Sequence, residues 1–551
     1  MSSSVQRIRS LLQRYRIDRR LPPPVADLYR DTTWLRIRNL RDGLVRRVRP
    51  ARGATTEPLE FAALGTQRIA TAGPLPASFF ELGHEVASAV SRVLDSAGVP
   101  HFAVDRCGDG IEFGIELDDR QGAADALARL DQPGWYVQWT GGRSHGVTTV
   151  AAAASERHVL RAREWVVFRA HAWSGRAVGR ESGARISFWD LGTSGQLEKV
   201  GIRSQERFDP RCPETVEVID GHSYPGRTAF PVGANLEHVA EPIDIVYTWV
   251  DGADPDWQEA FRDTAVAMGR SVDETALDPA RYHSRDELKY SLRSVWAYCG
   301  WVRRIWIVTA GQRPDWLGDD PRVRIVDHAD ILPPSALPTF NSHAIEAALH
   351  HIDGLAEQFV YFNDDMLVAR SLRPETFFTP NGLPRVFQSG ARPPGVEDEH
   401  TLAVDTGARR GRELLQEHFG RVVTGKPYHS PYPLSRSAMC DMEERFADVV
   451  GSTQHSRFRA PSDVSTAASF AQHYALATGR AVLGDIANEY VNVESGRLDW
   501  HLDRIRFDDR FDTYCVNETH RDGADHAKRE QRITDFFDDM LPIAAPWERR
   551  A

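Results

Sequence analysis

The chain has 551 residues, 41% of them hydrophobic and 26% charged, ordinary values for a globular protein with material for about two to four domains. No apolar run approaches the ~18–20 residues that cross a bilayer, the N-terminus has no apolar signal region, and the five scattered cysteines make neither a disulfide scaffold nor a CxxC zinc pair, which suits a reducing, cytoplasmic compartment. Net charge is −11, but residues 1–52 hold 14 arginines and no lysine against 4 aspartates, so a head of +10 precedes a body of −21; an acidic body argues against nucleic acid as a partner.

The head places Val5, Ile8, Leu11, Leu12 and Tyr15 between Arg7, Arg9, Arg14 and Arg16. Apolar spacing of three to four predicts a basic amphipathic helix, ended by the LPPP run at 21–24. Such an arm could lie on the anionic inner face of a membrane, rest in solvent or on the acidic body, or serve as an organellar transit segment. Residues 55–235 read as a separate α+β domain. Helices are expected at 82–97 and 122–130, with strands at 101–105, 111–117, 135–139, 165–169 and 185–191 in mixed pairing. No catalytic constellation stands out there, so a structural or acceptor-positioning role is the expectation.

From 242 to 551 strands and helices alternate. Strands are expected at 243–250, 305–310, 323–327 and 359–362. Helices are expected at 285–298, with Ser284 and Glu287 spaced as a capping box, and at 344–352, capped by Asn341 or Ser342. The alternation predicts an α/β fold with a doubly wound, mainly parallel sheet. No Gly-rich phosphate fingerprint follows any strand, which excludes a nicotinamide enzyme or a P-loop ATPase.

Ligands of such a sheet bind beyond the carboxyl ends of its strands. Those ends carry Thr248, Trp249, Asp251, Gly252 and Asp254 after the first strand, and Asn363, Asp364 and Asp365 after the fourth. Paired acids suit a hard divalent cation holding a diphosphate, with Asp364 and Asp365 as ligands; one Asp could instead be a general base, and Asn-Asp-Asp could simply begin a turn. His343, Glu346 and His350 fall on one face of the expected helix, as metal ligands or, more in keeping with their spacing, as hydrogen-bonding groups. His429 and Arg459, with Asp463 nearby, add a titrating group and a guanidinium fork for phosphate. Metal, cationic clamp and proton acceptor together make a phosphoryl-transfer kit.

Four blocks of this sequence resemble the stealth proteins, a family of sugar-1-phosphate transferases. The family includes bacterial capsule and exopolysaccharide phosphotransferases and the catalytic subunit of the lysosomal-enzyme N-acetylglucosamine-1-phosphotransferase. The blocks are IDIVYTWVDG at 243–252; Arg281 through DELKYSLR at 286–293, IWIVT at 305–309 and NSHAIE at 341–346 to NDD at 363–365; HSPY at 429–432 with RAPSD at 459–463; and YCVN at 514–517. The last block departs from the family's Cys-Leu-Asn-Asp at Val516 and Glu518. The resemblance spans roughly 242–520 and leaves residues 1–240 uncovered. It implies transfer of a hexose-1-phosphate from a nucleotide-sugar donor to a hydroxyl of a glycan or lipid-linked glycan, with Mg2+ or Mn2+ and release of a nucleoside monophosphate. Asp365 or His429 would be the base, with Arg281 and Arg459 on the diphosphate. Trp249 would stack on base or sugar, Asp251 and Gly252 would line the nucleotide pocket, and Thr248, Asn341, Glu346, His350, Asn363, Asp463 and Asn517 would complete the substrate site. Two alternatives stand beside it: a metal-dependent nucleotide-sugar glycosyltransferase, and a non-catalytic glycan-binding protein.

Overall fold

The computed structural model of the chain describes residues 61–549, apart from 65–66, 142–143, 175, 202–205, 270–281, 283, 393–402, 509 and 519–525. The basic arm, with its expected helix, lies outside the described residues. The described residues belong to one compact unit that begins at Leu59. Among them, no helix is long and apolar enough to cross a membrane.

The first layer is α+β. Helix α1 (Phe79–Ser96) starts on a capping box between Ser78 and Glu81 and buries Leu82, Val86, Val90 and Leu94, a repeat of four that makes one apolar stripe. The stripe packs on a mixed sheet that contains β1 (Phe102–Cys107), β2 (Gly110–Glu116), β3 (Trp135–Gly141), β4 (Glu164–Arg169) and β5 (Ala184–Leu191). Strands β2 and β5 pair in parallel, while β1 with β2, β3 with β4 and β4 with β5 are antiparallel. Phe79 of α1 stacks on Tyr298, ring centroids 5.3 Å apart. The same apolar core continues into the second layer.

That layer is built on β6 (Ile243–Thr248), β7 (Arg304–Thr309), β8 (Val323–Asp327), β9 (Gln358–Asn363) and β10 (Tyr432–Ser435). They form one sheet in the order β8-β7-β6-β9-β10. The first four run parallel, and β10 closes the edge antiparallel to β9, with Tyr361 opposite Tyr432. Val246, Ile307 and Val360 are completely buried, as expected for strands covered on both faces. A smaller sheet sets a short strand, Met366–Val368, against β12 (Thr513–Asn517), which in turn pairs with β11 (Asn488–Asn492). Pairing with β12 carries the C-terminal block back to the end of β9.

Both helices expected in this layer differ from expectation. Helix α2 (Glu287–Tyr298) begins two residues late and has no capping box. The Glu287 side chain instead takes the Arg285 backbone N–H and guanidinium, and Asp286 sits in the left-handed region at φ 64°. The helix expected at 344–352 is split into α3 (Ser342–Glu346) and a single 3-10 turn, Leu349–His351. Asn341 caps α3 as expected, and the Gln454 amide takes up the Ala347 carbonyl that a longer helix would have used.

Candidate active site

Asp365 follows the carboxyl end of β9, and its Oδ2 is surrounded by donors from two later parts of the chain. His429 Nε2 lies 3.3 Å away, Asn517 Nδ2 donates at 2.8 Å and Cys515 Sγ at 3.1 Å. Its other oxygen, Oδ1, is buried without a hydrogen-bond partner. On the far side of the imidazole, His429 Nδ1 is 3.1 Å from the Tyr432 hydroxyl. The Asn488 amide holds the His429 carbonyl at 3.2 Å, and the Tyr490 hydroxyl holds Asn517 Oδ1 at 3.1 Å. Burial pushes the Asp365 carboxyl up, but the charge of His429 and the bonds from His429, Asn517 and Cys515 outweigh it and leave the group below its ordinary value. His429 mirrors this: burial opposes its cation, the Asp365 carboxylate more than compensates, and the imidazole titrates above its ordinary value. The ligand atoms of Asp365, His429 and Cys515 all lie within 4.8 Å of one another.

Asp364 is held differently. Burial first, then the charges of Asp365 and Glu287, push its carboxyl well above the ordinary range. Glu287 is one acid of a buried ion cluster. Arg285 bridges it, at 3.0 Å, to Glu518, the residue that departs from the family block. Glu346 of α3 is buried, and that burial raises its carboxyl to about 7 despite the Arg459 charge and the Ala468 and Ala467 backbone N–H groups. Those N–H groups belong to a π-helical turn, Thr466–Phe470, a rare element often found beside functional groups.

Arg459 reaches Ser342 at the start of α3, Nη2 to Oγ 2.7 Å. The loop that carries it is pinned by a buried bracket. The completely buried Asn341 donates to Asp463 Oδ2 at 2.8 Å and to the Ser456 carbonyl at 2.9 Å, and Asp463 also takes the Ala460 N–H at 2.9 Å. Asn341 and Asp463 therefore position Arg459 from below. Asn341→Ala should lower stability by about 2–3 kcal/mol in chemical denaturation, because it takes the partner from the Ser456 carbonyl and from the His343 N–H that the Asn341 side chain caps.

The residues after β6 are busy with their own loop. Thr248 stands beside Asn363 in the sheet register and its hydroxyl meets the Tyr361 hydroxyl at 2.9 Å. The Trp249 side chain is half-buried against the core. Asp251 accepts the Ala253 N–H, and Asp254 caps the next helix, Pro255–Met268. Gln312 staples both, accepting from the Asp251 N–H and donating to the Asp251 carbonyl and to Asp254. Gly252 is required by close approach: a Cβ there would lie 2.2 Å from the Tyr282 carbonyl oxygen. Arg281 lies outside the described residues.

His350 is not on one face with His343 and Glu346, because the helix breaks between them. Its Nε2 turns to Glu443, 2.7 Å away, beside His351. Sequence reasoning did not single out Cys515, Tyr432, Arg285 and Glu287 as individual site residues. Cys515, Tyr432 and Glu287 lay inside quoted blocks, but nothing in their spacing told that they would meet Asp365, His429 and Arg285.

Profiles of stealth protein conserved regions 1, 2 and 3 match residues 241–263, 281–386 and 428–476. The chain is 37% identical to an exopolysaccharide phosphotransferase of Streptomyces coelicolor, SCO6021, over 84% of this chain and 89% of that protein. It is 39% identical to the exopolysaccharide phosphotransferase CpsY of Mycobacterium tuberculosis, over 84% and 87%. Among solved structures, the galactosyltransferase LgtC with donor and acceptor sugar analogs aligns at TM-score 0.27 and 13% identity, over 55% of this chain and 98% of that one, a likeness too slight to assign a fold. From the ordered matches and the coverage of both relatives, the chain belongs to the stealth family of exopolysaccharide phosphotransferases.

Proposed function

We propose that the chain moves a hexose-1-phosphate from a nucleotide-diphosphate sugar to a hydroxyl of a glycan or lipid-linked glycan, giving a phosphodiester of an exopolysaccharide or capsule and a nucleoside monophosphate. The supporting observation is the setting of Asp365: one oxygen held by His429, Asn517 and Cys515, the other buried and without a partner at the carboxyl end of a parallel strand. A carboxylate oriented in this way can receive the proton of an incoming hydroxyl. The hydroxyl oxygen then bonds to the sugar-bearing phosphorus, the phosphoanhydride P–O bond breaks, and its electron pair leaves with the nucleoside monophosphate. His429 as a cation and Arg459 face the charge that spreads over the phosphoryl oxygens. Asn341 and Asp463 hold Arg459 in place, and Glu346, near neutrality in its titration, is suited to hydrogen-bond a phosphate or sugar hydroxyl.

Mg2+ or Mn2+ fits this rim. Two adjacent carboxyls, one raised by burial and like charge and one with an unpartnered oxygen, are a set that a hard cation relieves. Asp364 with Asp365 would hold it, and it would neutralise the diphosphate. In the same reading the sheet is doubly wound, with its order reversing about β6. Thr248, Trp249, Asp251, Gly252, Asn363 and Asn517 line the donor cleft, with Trp249 on the base or sugar. Residues 55–235 position the acceptor, and the arm at 1–52 docks on the anionic inner face of a membrane near lipid-linked acceptors.

The test is the identity of the released nucleotide. Supplied with a panel of nucleotide sugars and a glycan acceptor, the protein should release a nucleoside monophosphate and form a product with a phosphodiester 31P signal. Chelator should stop release. A nucleoside diphosphate with an ordinary glycosidic product would replace this reading with a glycosyltransferase.

A further inference from the structure

A second cluster of ligating side chains lies apart from the Asp365 rim. His350 and His351 end the 3-10 turn after α3, and Glu443 sits on the helix Arg436–Arg445 that follows β10. Both imidazole Nε2 atoms point at the same oxygen, Glu443 Oε2, at 2.7 and 2.8 Å. The three ligand atoms lie within 4.8 Å of one another. Glu443 Oε1 is held separately by the Gln454 amide at 2.7 Å, and that same amide reaches the Ala347 carbonyl.

The tautomers carry the argument. His351 Nδ1 is 3.1 Å from the Ile331 carbonyl, which can only accept, so Nδ1 bears the proton. The neutral ring then aims an Nε2 lone pair at a carboxylate oxygen, an arrangement that repels unless a proton or a cation lies between them. Nδ1–H donated to a backbone carbonyl is the arrangement that fixes the tautomer of metal-ligating histidines and leaves the Nε2 lone pair for the ion. His350 is completely buried and its Nδ1 has no hydrogen-bond partner. His351, by contrast, is 38% exposed, which gives a cation a way in.

We propose that His350 Nε2, His351 Nε2 and Glu443 Oε2 form a binding site for a borderline divalent d-block cation such as Zn2+ or Co2+. Two imidazoles and one carboxylate select such ions over Mg2+. The ion displaces the proton between Nε2 and Oε2 to solvent and leaves a coordination position for water. Bound there, it ties the segment that carries Glu346 and the Arg459 partner Ser342 to the helix behind β10, clamping both sides of the rim.

The full chain, stripped with chelator and then titrated with Co2+ alone, should retain one ion and develop visible d–d absorption without a thiolate charge-transfer band. Asp365→Asn should leave that spectrum intact. His351→Ala, a change at a half-exposed position, and Glu443→Gln, a near-isosteric one, should each weaken Co2+ and Zn2+ affinity by about 10–100-fold while circular dichroism stays native. Failure of the intact chain to retain Co2+ overturns the proposal. So does unchanged affinity in both variants, or a spectrum that disappears with Asp365→Asn. None of these outcomes bears on the transfer reaction proposed above.

Discussion

Asp365→Asn should lower turnover by about 10²–10⁴-fold while the protein stays folded. The loss has two components. An amide cannot accept the hydroxyl proton, so the atom now buried without a partner, Oδ1, no longer serves as base. The amide also removes the charge that holds His429 protonated. Folding should survive because the swap is near-isosteric and the Asn517 and Cys515 donors still find an oxygen. Steady-state rates with saturating acceptor, alongside circular dichroism, give the measurement. Near-normal turnover would remove Asp365 from the chemistry. Partial recovery at high Mg2+ would instead identify it chiefly as a holder of the ion.

The strands of the second layer were legible because burial on both faces leaves continuous β-branched and aromatic runs, and 323–327 matches β8 to the residue. The strand at 243–250 ends two residues early, where the chain enters the loop that Gln312 pins at Asp251 and Asp254. Helix ends were less legible. A capping box needs Ser284 and Glu287 to face each other, and the long-range pull of Arg285 and Glu518 overrides that local pairing. The break after Glu346 depends on Gln454, 107 residues downstream of Ala347, so no local pattern could announce it. That break is why His350 left the expected face.

The rim shows the same division. Asp365, His429 and Asn517 were singled out from separate blocks, and the structure brings them into one hydrogen-bonded group. What the sequence left open was the division of labour between Asp365 and His429. That turns on which nitrogen and which oxygen are occupied, and the contacts of Tyr432, Cys515 and Asn517 that occupy them come from distant parts of the chain. Asp251 was expected to line a pocket; its carboxylate accepts the Ala253 N–H of its own turn while Gln312 holds its backbone, as an Asp after a strand often satisfies nearby backbone first.

The pH profile separates the two candidate bases by the sign of one limb. Both His429 nitrogens face partners, Asp365 Oδ2 and the Tyr432 hydroxyl, so the imidazole has no free lone pair for a substrate hydroxyl. The active form is then Asp365 ionised with His429 protonated. Since the His429 value is raised above the ordinary 6.5, kcat/KM should fall as pH rises through that raised value. A histidine acting as base would give the opposite, a rate that climbs through the same range. His429→Gln should cost about 10²-fold or more at neutral pH and erase the alkaline limb, because glutamine keeps a donor toward Asp365 but no charge. Stability follows the same linkage. His429 gains stability from its raised value, which is fully present below pH 6.5 and lost as pH rises through the folded-state value. Asp365, lowered in the fold, contributes above its ordinary value of 3.8 and loses that contribution as pH falls through the folded one. The difference in Tm between the wild-type chain and His429→Gln should therefore be greatest between those two limits and narrow on both sides. A wild-type rate that rises with pH through the imidazole range, together with loss of that rise in His429→Gln, would transfer the role of base from Asp365 to His429.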